Sequence, residues 1–116
     1  MQGDSGIVAP EIRTERPFRR HARMLFSVPV HLRHLIEGGI RSRHGISLDI
    51  SESGLGALIE GGLQVGDTVQ IEIKLPRSGL TAICVVRHSS SVRSGFEFIG
   101  LTPEERASIS QMVATA

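Results

Sequence analysis

The chain has 116 residues, 40% of them hydrophobic, with one cysteine and neither tryptophan nor tyrosine. That length supports one domain with a modest core, and a lone Cys84 excludes an internal disulfide and fits a reducing compartment. Net charge is only +1; no apolar run approaches the roughly 20 residues a membrane helix needs, and the opening MQGDSG lacks the layout of a secretory signal, so a cytoplasmic location without membrane insertion is expected.

The small net charge hides an uneven distribution. Residues 1–43 carry eight arginines against Asp4, Glu11, Glu15 and Glu37, a net of +4, whereas the remainder carries −3. Twelve of the thirteen basic residues are arginine, whose planar fork binds phosphates and guanine edges bidentately and stacks on rings. Residues 1–15 mix Gly, Asp, Ser, Pro and Glu without periodicity and are expected to form a disordered arm. The segment FRRHAR at 18–23 then places three arginines within five positions, and Pro17 argues against a helix running through them.

From residue 24 the hydrophobic period is two. Phe26, Val28, Val30 and Leu32 alternate with polar positions as a half-buried strand does, with Pro29 marking an edge or bulge. Gly38-Gly39 predicts a hairpin turn. The next strand is expected to put Ile46, Leu48 and Ile50 on the core face and Ser47, Asp49 and Ser51 on the outer one. Leu55, Ala57 and Ile59 continue the apolar face as far as Gly61-Gly62. Val69, Ile71, Ile73 and Leu75 form the cleanest alternation. Residues 80–88 make a more continuously apolar strand, SSSVRSG a turn, and Phe96 and Phe98 a last strand. Thr102-Pro103-Glu104-Glu105 predicts a helix start with Thr as N-cap, Pro at the first helical position and Glu three residues after the cap; Ile109, Met112 and Val113 give the helix an apolar stripe. The expectation is an all-β fold of six short strands closed into a small antiparallel barrel, a C-terminal α-helix over 102–116 and a flexible N-terminal arm.

Two polar stretches carry possible chemistry. Asp49 and Ser51, two apart on a strand, point the same way, and Gly54 and Gly56 follow with bare backbone that a flat ligand can approach. A carboxylate accepts from the N1–H and N2–H₂ of guanine, while an arginine fork serves O6 and N7 or a phosphate. The plainer reading is that Asp49 and Ser51 bond local backbone amides before a turn, and that the arginines are a solvated run.

Arg19-x-x-x-Arg23 followed by Asp49-x-Ser51-x-x-Gly54 resembles the PilZ domain family. The likeness runs from about Arg16 to Leu101 and includes Val28-Pro29-Val30, LDISESGLGALIE, GDTVQIEIKLP and GFEFIGLTPEER. It implies a six-stranded antiparallel barrel of Greek-key type over 16–101 that binds cyclic di-GMP, a bacterial second messenger, without catalysis or cofactor, and signals to a downstream protein partner. By that resemblance Arg19 and Arg23 would contact phosphates and guanine edges or stack on a base, with Arg20 assisting. Asp49 and Ser51 would bind a guanine edge, and Gly54 would permit close approach. Arg16 and Arg20 satisfy the same spacing, although RRHAR leading straight into the strand favours Arg19 and Arg23. Members often offer an aromatic on a later strand; here Arg87 or His88 would stack instead. Ordering the arm costs about 1–2 kcal/mol per residue, which a dianionic ligand with two stacking bases offsets.

Other signals are weaker. His31 and His34 are three apart and face opposite ways on a strand, so no metal site is expected. Cys84 lies in an apolar run and reads as a core residue. No Ser/His/Asp signature or phosphate-binding glycine loop is present, so no catalytic residue is assigned. A small-barrel nucleic-acid binder is the alternative, but the scarce aromatics and acidic body argue against a nucleic-acid polymer as partner. A protein-interaction module that binds no nucleotide is the other.

Overall fold

The computed structural model of the chain describes residues 22–60 and 62–115. The expected disordered arm, 1–15, lies outside these residues. Among them are seven strands and one helix: β1 Met24–Leu25, β2 Pro29–Ile36, β3 Gly39–Ile50, β4 Gly54–Ile59, β5 Thr68–Lys74, β6 Gly79–Ser89, β7 Arg93–Phe98 and α1 Pro103–Ala114.

All pairings are antiparallel, and they run β1-β3-β2-β5-β6-β7-β4 with a further β3–β4 pairing. That last pairing closes β2 to β7 into a six-stranded barrel and leaves β1 as an extra strand. β2, β3 and β4 follow one another by tight turns, and β5 then returns beside β2, the Greek-key order. Closure leaves none of the six strands with an unpaired edge.

Alternation along the strands supplies the core. Val30 and Leu32 of β2, Val69, Ile71 and Ile73 of β5, Ala82, Cys84 and Val86 of β6 and Phe96 and Phe98 of β7 all point inward and are buried. Gly38, at φ +90, takes the left-handed turn position that residues with a Cβ avoid. Helix α1 begins with the expected reciprocal cap: Glu105 N–H donates to Thr102 Oγ1 at 3.1 Å and Thr102 N–H to Glu105 Oε1 at 2.9 Å. It buries Ile109 completely, and Met112 and Val113 pack against the core.

Strict alternation fails in one place, and the failure positions the site. The pairing of β3 with β4 slips by one residue between Ser47 and Asp49, leaving Leu48 as a bulge. Ser47 was expected on the outer face, but it is fully buried, while Ile46 and Leu48, expected in the core, are exposed and half-buried respectively. Beyond the bulge the phase is reversed, so Ile50 points in and Asp49 points out. The first strand is interrupted alongside it by a separate irregularity, in which 26–28 stand opposite Ser47 and Leu48. Expected to run unbroken from residue 24, it is parted into β1 and β2 by 26–28, although Phe26 N–H still donates to Leu48 O and Ser47 N–H to Val28 O. Ser47 fastens the break: its hydroxyl donates to Phe26 O and accepts from Val28 N–H at 2.9 Å.

Two outcomes are expected. Ser47→Ala strands the Val28 N–H and lowers stability by about 1–3 kcal/mol, read from urea unfolding with an unchanged m-value. Burial pushes the Cys84 thiol up to about 12, so a thiol reagent should label it only as the barrel unfolds, at a rate that rises with denaturant. Rapid labelling in native buffer would show that the barrel opens there.

Candidate nucleotide site

β1 brings Arg23 to the outer wall. Leu25 pairs with Asp49, so Arg23, two residues earlier, lies beside the β3–β4 turn. Its Nη2 donates to Asp49 Oδ1 at 2.9 Å and its Nη1 to Ser51 Oγ at 3.2 Å. Both partners of the Arg23–Asp49 ion pair are mostly covered, at 23% and 22% side-chain exposure, so the contact is screened less than a surface pair.

The two polar residues differ in what they have left to offer. Ser51, expected on the outer face with Asp49, is instead fully buried, because the strand ends at Ile50 and its hydroxyl is taken up by the turn. Its oxygen accepts from Arg23 and from Ser53 N–H at 3.1 Å, and it lies 3.0 Å from Ser53 Oγ. Two accepted bonds fill both lone pairs, so its own O–H donates to Ser53. Asp49 Oδ1 accepts from Arg23 and from Gly56 N–H at 3.1 Å, while Oδ2 has no hydrogen-bond partner among the described residues. Burial alone would raise the Asp49 pKa; the Arg23 hydrogen bond and charge, the Gly56 N–H and the Arg93 charge outweigh it and hold the carboxyl below its ordinary value. Asp49 is therefore a carboxylate at neutral pH with one oxygen to spare.

The wall beside it is glycine backbone covered by its neighbours, Gly56 and Gly95 both being buried. Asp49 pairs with Gly56, Gly56 with Gly95 and Gly95 with His88, a single row across β3, β4, β7 and β6. Asp49 leans over Gly56, where a Cβ would stand 2.7 Å from Oδ1, and the His88 ring lies over Gly95, where a Cβ would stand 2.2 Å from Nε2. The row exists because β6 carries its own slip, between Val86 and His88. By plain alternation after Val86, His88 would turn inward; with Arg87 as the bulged residue both Arg87 and His88 are exposed. Arg23, Asp49, Gly56, Arg87, His88, Arg93 and Gly95, with Leu55 and Phe96, line a cleft of about 270 Å³.

Of the site residues named from sequence, Arg23, Asp49, Gly56, Arg87 and His88 line this cleft, and Ser51 adjoins it through Arg23. Gly54 is buried, and a Cβ there would stand 2.2 Å from the Phe96 carbonyl oxygen of the neighbouring strand, so its bareness serves barrel packing. Arg16, Arg19 and Arg20 lie outside the described residues. Arg87 is engaged by Glu97, Nε to Oε1, at 2.5 Å. Sequence reasoning missed Arg93 and Gly95, both inside SSSVRSG; the signal was Arg-x-Gly-Phe-x-Phe, a strand whose outward positions are a cation and a glycine. The plainer reading of Asp49 and Ser51 as partners of local amides also holds: both accept such bonds while holding Arg23.

The PilZ domain model matches residues 17–115, and the chain belongs to the PilZ domain family. No curated protein matches it. Among solved structures it is similar to MotI/DgrA, an inhibitor of motility from Bacillus subtilis, with TM-score 0.70 and 19% identity over 84% of this chain and 50% of that one. It is similar to YcgR from Escherichia coli in complex with cyclic di-GMP, with TM-score 0.70 and 20% identity over 84% of this chain and 45% of that one. The separate PilZ domain of YcgR with cyclic di-GMP gives TM-score 0.66 and 18% identity over 84% and 90%. The chain thus spans about half the length of MotI/DgrA and of the longer YcgR chain, and at these identities the likeness is one of fold.

A double-mutant cycle of Arg23→Ala and Asp49→Ala should give a coupling of about 1 kcal/mol at pH 7. Because the folded pKa of Asp49 is lowered, that contribution is full above the ordinary carboxylate value of about 3.9 and is lost as pH falls through the lower folded value. Coupling that fades near neutral pH would contradict this geometry.

Proposed function

We propose that this protein is a cytoplasmic receptor for cyclic di-GMP, acting without catalysis and passing the signal to a protein partner. The observation that carries the reading is the Arg23–Asp49–Ser51 cluster beside the Gly56–Gly95 floor. Family membership and the cyclic di-GMP complexes of structurally similar PilZ proteins support the choice of ligand. With the His88 ring swung off Gly95, the floor would give a planar base backbone to lie on. Asp49 Oδ2 is the acceptor that the N1–H and N2–H₂ of guanine require. Arg93 and Arg87 supply positive charge for phosphates, and His88 and Arg87 offer flat faces for stacking.

On this reading Ser51 is a positioning residue: its hydrogen bonds are taken up by Arg23 and Ser53, and it fixes where the guanidinium sits. Arg19 is the second arginine of the pair, with Arg20 assisting, and both act by closing the segment before Ala22 over the ligand. The contact of Arg23 with Asp49 favours the Arg19/Arg23 register over Arg16/Arg20. The dianionic ligand offsets the entropy of ordering that segment, and the newly ordered surface is what the partner reads.

Calorimetric titration with cyclic di-GMP, cyclic di-AMP and GMP tests the proposal. Cyclic di-GMP alone should bind tightly. Arg23→Ala and Asp49→Ala should each weaken it tenfold or more, about 1.4 kcal/mol, and Arg93→Ala should weaken it less. Changing salt from about 50 to 200 mM should cost far less than the 10³–10⁵ expected of a protein making many phosphate contacts on a polymer. Equal binding of the three ligands, or none, would overturn the reading.

A further inference from the structure

The opposite wall carries a second arrangement that the nucleotide site does not use. His31 of β2 pairs directly with His44 of β3 and with Glu72 of β5, one outward row across three strands. The two imidazoles lie parallel, with ring centroids 4.5 Å apart and planes 2° from coincident. Glu72 Oε1 stands 3.4 Å from His31 Nδ1. These three, with Lys74, Pro29, Val30, Ile73 and Gly79, line a concavity of about 340 Å³.

From this juxtaposition we propose that His31 and His44 together bind a late first-row divalent cation such as Cu²⁺, Ni²⁺ or Zn²⁺. A carboxylate facing Nδ1 favours the tautomer with its proton there, which leaves the Nε2 lone pair of His31 for a metal. His44, held alongside by the register, adds a second nitrogen. Imidazole–metal bonds are about 2.0–2.1 Å, so the rings must tilt together at one edge, and the sp³–sp² χ2 torsion of histidine is broad enough to allow it. Among the described residues no three His, Cys, Asp or Glu side chains could hold one ion. The site therefore supplies two nitrogens, water completes the coordination, and Glu72 orients rather than ligates. Two imidazoles select for the upper end of the divalent series, with Cu²⁺ tightest. Lys74, the other charged group lining the concavity, opposes a dication.

The test titrates chelator-treated protein with CuCl₂, NiCl₂ and ZnCl₂ by calorimetry and takes the Cu²⁺ electron paramagnetic resonance spectrum. One equivalent should bind, in the order Cu²⁺ over Ni²⁺ and Zn²⁺, with hyperfine splitting from two equivalent nitrogens. His31→Ala or His44→Ala should abolish that signal while the circular dichroism spectrum and any cyclic di-GMP binding persist. Glu72→Gln should weaken affinity 10–100-fold, Lys74→Ala should strengthen it, and His88→Ala should leave it unchanged. Absence of binding, a one-nitrogen spectrum, or full binding by both single histidine variants would overturn the proposal.

Discussion

The slip at Leu48 is the constraint from which the site follows. A strand with unbroken period two cannot send Ser47 and Asp49 to opposite faces. One extra residue does so, and each then takes a task the other cannot perform. Ser47 goes into the core and ties the broken first strand through Phe26 and Val28. Asp49 comes out beside β1 and receives Arg23. Because β1 and β4 flank the same end of β3, this slip and the break at 26–28 on its other side together set the position of the arginine, the carboxylate and the Gly56 amide.

The slip in β6 does the corresponding work on the far side of the cleft. It turns His88 outward over Gly95, so the four-strand row has a carboxylate at one end, an imidazole at the other and no side chain between. Flat backbone between two polar groups is an unusual way to build a barrel wall, since glycine in a strand forfeits packing and costs chain entropy. The room so gained is taken up by the Asp49 carboxylate and the His88 ring, which lie over Gly56 and Gly95. Electrostatics agree, because Arg23, Arg87 and Arg93 converge there against Asp49 and Glu97 on a body that is otherwise mildly acidic.

Much of the fold was legible in the sequence because it depends on local pattern. The alternation of Val69, Ile71 and Ile73, the glycine pair at 38–39 and the Thr102–Glu105 cap each report on a few consecutive residues, and the barrel assembles from them as expected. What was not legible depends on register. Nothing in DISESG or VVRHSS announces that Leu48 or Arg87 is the extra residue, since a bulge shows only against its partner strand. The same limit concealed Arg93 and Gly95, which look like turn material until β4 is laid beside them. It also hid the His31–His44 stack, whose members are thirteen positions apart and become neighbours only through the hairpin.

The state of Asp49 explains how such a site would choose between purines. Oδ1 is already satisfied by Arg23 and Gly56, so the incoming base meets Oδ2, an acceptor that is partly desolvated. Guanine presents two adjacent donors, N1–H and N2–H₂, to that atom. Adenine presents one amino group beside an unprotonated ring nitrogen, which would face the carboxylate lone pair to lone pair. The difference is a buried charge left poorly bonded, a penalty larger than the gain from a good neutral hydrogen bond. Selectivity would then rest less on how well guanine binds than on what adenine leaves unsatisfied, and the prior pairing of Arg23 with Asp49 makes the distinction sharp, because it keeps the carboxylate ionised and unable to donate.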